Sequence, residues 1–79
     1  MDVQTERDQI REENAKLVFD FIRDYIQVRG ISPTFAEIGA GVSLSRAAVV
    51  RYVDLLEARG YISRIFNVPR SIRIQREWL

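Results

Sequence analysis

Cysteine and histidine are both absent from this chain of 79 residues, and proline (2) and glycine (4) are scarce. Without thiol or imidazole the usual structural zinc site, an iron–sulfur cluster, a disulfide framework and any Ser-His or Cys-His nucleophile are excluded. No metal, no cofactor and no enzymatic activity is expected. Long apolar runs are missing too, the longest falling far below the roughly 20 residues that a membrane-spanning helix needs. Residues 1–14 are charged and lack the apolar stretch of a secretory leader. The expectation is therefore a cytoplasmic protein with no membrane partner and no evident small-molecule ligand. What is present, 47% hydrophobic residues in one short chain, suits a single small core.

The formal net charge of +1 hides an asymmetry. Met1 to Arg29 holds five basic residues against seven acidic ones, a net of −2. From Ser43 onward seven arginines face Asp54, Glu57 and Glu77, a net of +4. Eleven of the 12 basic residues are Arg, whose planar guanidinium suits bidentate binding of phosphate or guanine better than Lys does. The basic back half is the part to search for an anionic partner.

Apolar spacing of three and four through Leu17, Val18, Phe21, Ile22, Tyr25, Ile26 and Val28 predicts a helix from Ala15 with this stripe as its buried face, closed at Gly30 and kept closed by Pro33. Thr34, with Glu37 three residues on, forms a capping box for a short second helix facing Phe35 and Ile38 inward. A tight turn at Val42 to Leu44 follows. Ser45 then caps a third helix with Ala48, Val49, Tyr52, Val53, Leu55 and Leu56 inward, ending at Gly60. Beyond Gly60 the period shifts to two: Tyr61 to Phe66 and Ser71 to Gln75 alternate around a turn at residues 67–70. The fold class expected is mainly α with a small β-hairpin, three helices plus a two-stranded wing. Residues 15–79 form that domain. Residues 1–14 are either a helical extension, because Val3, Ile10 and Leu17 recur every seven residues, or a frayed acidic arm.

Two helices joined by a short turn and followed by a hairpin make a winged helix-turn-helix plan. The stretch from Glu37-Ile38 through Leu44-Ser45 to Leu56-Glu57-Ala58-Arg59-Gly60-Tyr61-Ile62 resembles the pattern common in bacterial regulators. Asp20 to Ile26 with Gly30 and Ser32-Pro33-Thr34, and Arg70 to Ile74, are similar to the N-terminal DNA-binding domain of LexA repressors. The resemblance covers roughly Glu12 to Gln75. It implies sequence-specific binding of double-stranded DNA by a small bacterial or phage regulator of repressor type. LexA repressors also carry a Ser-Lys self-cleaving and dimerising domain; this chain ends at Leu79, so autoproteolysis is not expected of it. Ala47, Val50 and Arg51 stand where that family has polar or acidic base-reading residues, and the turn is one residue shorter, so the operator need not be the family's.

On this plan Ser45, Arg46, Ala47, Val50 and Arg51 are the candidate recognition-helix contacts: Arg51 for guanine or phosphate, Val50 for a thymine methyl, and Ser45 first as a cap. Arg64, Asn67, Arg70 and Arg73 are the candidate wing contacts to phosphate or a narrow minor groove. Ser32 and Thr34 are candidates for a backbone phosphate at the second helix. Arg59 and Arg76 read as solvated charges. Trp78 and Leu79 either cover the sheet edge or join an interface. Symmetric operators call for two copies, so a homodimer through the N-terminal helix or the C-terminal end is expected. The alternative is a protein-docking winged helix with the acidic first helix as its face, since fold alone does not decide function.

Overall fold

The computed structural model describes residues 3–78. Met1, Asp2 and Leu79, which the sequence reading assigns to the N-terminal extension and the C-terminal end, lie outside the described residues. The elements are α1 (Val3–Arg29), α2 (Phe35–Val42), α3 (Arg46–Ala58), β1 (Ile62–Ser63) and β2 (Arg73–Ile74). This is the expected order, and the architecture is a winged helix-turn-helix.

α1 is a helix of 27 residues. At about 1.5 Å per residue it sets the long axis of a molecule measuring 42 × 25 × 23 Å. Ion pairs one turn apart support it, Arg11 with Asp8 and Lys16 with Asp20, both at 2.9 Å. Its buried side chains are Ala15, Val18, Phe19 and Ile22, an i, i+3, i+4, i+7 stripe. That stripe is rotated from the expected one. Leu17 and Val28, read as inward, are exposed, whereas Phe19, which the spacing leaves unassigned, is fully buried. Apolar residues stand on both flanks of this helix, so periodicity alone leaves its rotation open. Tyr61 and Trp78 decide it by packing against Phe19, each ring centroid 5.5 Å away.

The capping box forms as the spacing predicts. Glu37 N–H donates to Thr34 Oγ1 at 3.1 Å, and Thr34 N–H donates to the Glu37 carboxylate at 2.8 Å. α2 then ends at Ser43, whose φ of +58° turns the chain sharply. Leu44 N–H closes this turn on the Gly39 carbonyl at 3.0 Å. A Cβ at position 39 would lie 2.8 Å from the Leu44 carbonyl oxygen, so glycine is needed for α2 and the turn to meet. Ser45 caps α3 by accepting the Ala48 N–H at 3.2 Å. Ala48, Val49, Val53 and Leu56 are buried, and Tyr52 accepts a hydrogen bond from Asn14 Nδ2 at 3.1 Å, tying α3 to α1.

The antiparallel sheet pairs Ile62 with Ile74 and Ser63 with Arg73. It is shorter than the two strands expected, because the chain between Arg64 and Ser71 serves its own polar groups. Ile65 N–H donates to Ser71 Oγ at 3.0 Å and Val68 N–H to the Ile65 carbonyl at 3.1 Å, which replaces ladder bonds with a closed turn. Ile62 and Ile72 are buried against the helices. Trp78 stacks on Tyr61 at 4.5 Å and belongs to the core's edge. Arg59 and Arg76 are not freely solvated. Arg59 forms a bidentate pair with Glu12, at 2.5 and 2.8 Å, and Arg76 lies 4.2 Å above the Tyr61 ring. No helix among the described residues is long and apolar enough to cross a membrane.

Candidate nucleic-acid interface

The Ser45 cap and the buried Ala48, Val49 and Val53 fix which face of α3 points away from the body. Arg46, Ala47 and Arg51 are exposed on that face, and Val50, expected to stand fully outward, is half-buried beside them. Arg51 and Arg73 pair with no carboxylate among the described residues. Arg46 has only the Phe35 ring, 5.9 Å from its guanidinium carbon. These three cations are uncompensated, so each can meet phosphate or a base edge without first breaking an ion pair.

A cleft of about 330 Å³ lies between the start of α2, the start of α3 and the wing. It brings together Thr34, Arg46, Arg64, Asn67 and Arg70, members of all three groups expected from the sequence. Ser32, Arg51 and Arg73 are not among its lining residues. Asn67 shapes the wing turn at φ +61°, a conformation asparagine tolerates better than most residues.

Several candidates are occupied inside the protein. Ser32 is buried, its Oγ accepting the Ile72 N–H at 3.2 Å and donating to the Pro33 carbonyl at 3.1 Å, which pins the wing to the α1–α2 connector. Arg64 donates to Asp54 at 2.7 Å and to Glu57 at 3.3 Å, with its side chain only 13% exposed. Arg70 reaches both Glu37 carboxylate oxygens, at 3.0 and 3.2 Å, as well as the Ser32 carbonyl at 3.2 Å and the Tyr25 hydroxyl at 3.4 Å. Tyr25 donates to the same carboxylate at 2.9 Å. The Thr34 amide hydrogen bond, with help from Arg70 and Tyr25, lowers the Glu37 pKa to about 2. This knot joins α1, α2 and the wing, and it holds Arg70 at φ +56°. The sequence shows Glu37 only as half of a capping box. Its partners lie 12 and 33 residues away, and no local pattern announces them.

The sequence that builds this region matches a known family. Residues 12–71 match the family described as LexA DNA binding domain. The chain belongs to that family. It is 40% identical over 58 residues to the LexA repressor of Exiguobacterium sp., covering 72% of this chain and 28% of the relative. To the LexA repressor of Staphylococcus epidermidis it is 36% identical over 63 residues, covering 78% and 31%. To that of Mycolicibacterium gilvum it is 34% identical over 70 residues, covering 87% and 30%. The chain thus spans about 30% of the length of these relatives. The LexA-type match begins within α1 at Glu12, takes in α2, the turn, α3, β1 and the wing turn, and ends at Ser71, before β2.

Proposed function

We propose that this LexA-type domain binds double-stranded DNA with sequence preference and acts as a small bacterial or phage transcription regulator of repressor type in the cytoplasm, by binding and without catalysis. The observation that carries the reading is the placement of three uncompensated arginines, Arg46 and Arg51 on α3 and Arg73 on the wing, in a fold whose relatives are named repressors. On this proposal α3 enters the major groove. Arg51 reads guanine, Ala47 and Val50 offer apolar contact to a thymine methyl, and Arg46 and Ser45 meet the backbone at the helix start. Arg73 and Asn67 face backbone or minor groove from the wing, and Thr34 faces a neighbouring phosphate. Arg64, Arg70 and Ser32 serve mainly to hold the wing in place for those contacts.

The proposal includes two copies of the chain on a symmetric site. Val3, Ile10 and Leu17 lie one heptad apart on α1 and are 58%, 56% and 52% exposed, which supports a seam between two such helices. The direct experiment is fluorescence anisotropy with random-sequence duplex over a salt series. Binding should be present at about 50 mM salt and fall linearly in log–log form, with a slope of about −0.9 per phosphate neutralised. Absence of binding, or affinity indifferent to salt, overturns the reading in favour of protein docking.

A further inference from the structure

The wing tip is a rigid corner whose largest side chains stand in solvent. Ile65 to Val68 close a hydrogen-bonded turn with Asn67 in left-handed conformation at its third position. The Ser71 hydroxyl clamps this turn, accepting from Ile65 N–H at 3.0 Å and lying 2.7 Å from the Val68 carbonyl. Phe66 sits at the outer corner, 75% exposed, between Ile65 at 64% and Val68 at 48%. Three neighbouring apolar side chains held on a pinned turn suit an apolar partner better than water. Charge narrows the partner further. No acidic residue occurs between Ala58 and Arg76; of the five arginines in that stretch Arg59, Arg64 and Arg70 are paired with carboxylates from elsewhere, while Arg73 and Arg76 pair with none among the described residues. The Arg64 guanidinium lies 5.7 Å from the Phe66 ring centroid, and the cleft behind the tip extends to Arg46 at the start of α3. A duplex groove has the complementary character: stacked bases are apolar between their faces and anionic along both flanks.

The geometry points to Phe66 as a wedge that enters the minor groove, partly unstacks one base-pair step and bends the duplex, an assignment that rests on the DNA reading above. Because Ser71 and the turn fix the corner beforehand, insertion needs little further ordering of the wing. Pyrimidine–purine steps unstack most readily, so the wing selects deformable sequence at a position where it makes no hydrogen bond to a base. That selectivity is separate from the base contacts of Arg51.

The test uses the full chain and the strongest duplex recovered by selection from random DNA. 2-Aminopurine replaces adenine at successive positions, and dyes at both ends report bending. Wild-type protein should raise 2-aminopurine fluorescence at a step on the wing side and bend the duplex by about 20° or more. Phe66→Ala, a surface change whose folding is checked by circular dichroism, should lose both signals and about tenfold in affinity, the scale of one base–aromatic contact. Phe66→Leu should retain part of each. A duplex that stays straight and stacked under wild-type protein, or a Phe66→Ala protein that behaves as wild type, overturns the wedge while leaving DNA binding intact. Failure of the wild-type chain to bind any duplex at about 50 mM salt removes the DNA reading, and the wedge with it.

Discussion

Glu37 does more than its place in the sequence suggests, because one carboxylate closes a helix cap and anchors the wing through Arg70. Its pKa of about 2 lies below the ordinary 4.5, so its contribution to stability is complete above pH 4.5 and is lost as the pH falls through 2. Urea melts between pH 7 and pH 2 should therefore show an acid-sensitive component that Glu37→Gln removes; equal pH dependence in both proteins refutes the role. The exposed arginines divide by what each would touch. Arg51→Ala should change base preference at one operator position, by about 1–3 kcal/mol between right and wrong base. Arg73→Ala should instead weaken all duplexes alike and reduce the salt slope by about 1. Competition binding with single-base variants separates the two patterns, and a reversal of them would reassign the wing and the helix.

The turn between α2 and α3 and the wing are both held by contacts that no single helix or strand contains. Gly39→Ala places a methyl group against the Leu44 carbonyl, a backbone atom with little room to yield. The loss from crowding, about 1–3 kcal/mol, exceeds the gain in helix propensity of at most about 1 kcal/mol. A lower urea midpoint at unchanged slope is the expected result, and a rise in stability would show that the turn can relax. The wing depends on three ties: Ser32 to Ile72, Arg70 to Glu37, and Arg64 to Asp54 and Glu57. With only two residues paired in each strand, a hairpin of this size is marginal in water without such ties.

Across the molecule, α1 joins the body of the domain to an exposed apolar face. Its buried stripe packs into the core from Ala15 onward, and the Glu12–Arg59 pair is the outermost polar link to the end of α3. N-terminal to that link, Val3 and Ile10 project into solvent in line with Leu17. Sedimentation should reveal a reversible dimer, and Ile10→Glu should return it to monomer without changing the circular dichroism of the fold. A wild-type chain that sediments as a monomer at every concentration removes the seam from the proposal. Under a dimer, two recognition helices would bind half-sites about one helical turn apart, and a selected operator should be palindromic.

Local rules were enough to read the order of elements, the Thr34–Glu37 capping box, the Ser45 cap and the inward set on α3, because each depends on neighbours within one turn of helix. The general regulator pattern was legible in the unbroken string from Glu37 to Ile62, and the LexA-type resemblance in Asp20 to Ile26 with Gly30 and Ser32-Pro33-Thr34 and in Arg70 to Ile74. The candidate arginines could be counted from sequence, yet their availability could not. Arg51 and Arg73 stand free while Arg64 and Arg70 are spent on carboxylates 10 and 33 residues away, and sequence spacing does not register pairs so distant. The rotation of α1 was misread for a related reason: the spacing put Leu17 and Val28 inward and left out Phe19, the residue on which Tyr61 and Trp78 pack. The sequence by itself determined which segments coil, turn and cap, since those preferences are local. Only the tertiary structure decided which charges remain unpaired and which apolar side chains, Phe66 foremost, are left facing solvent, since both depend on what the fold brings beside them.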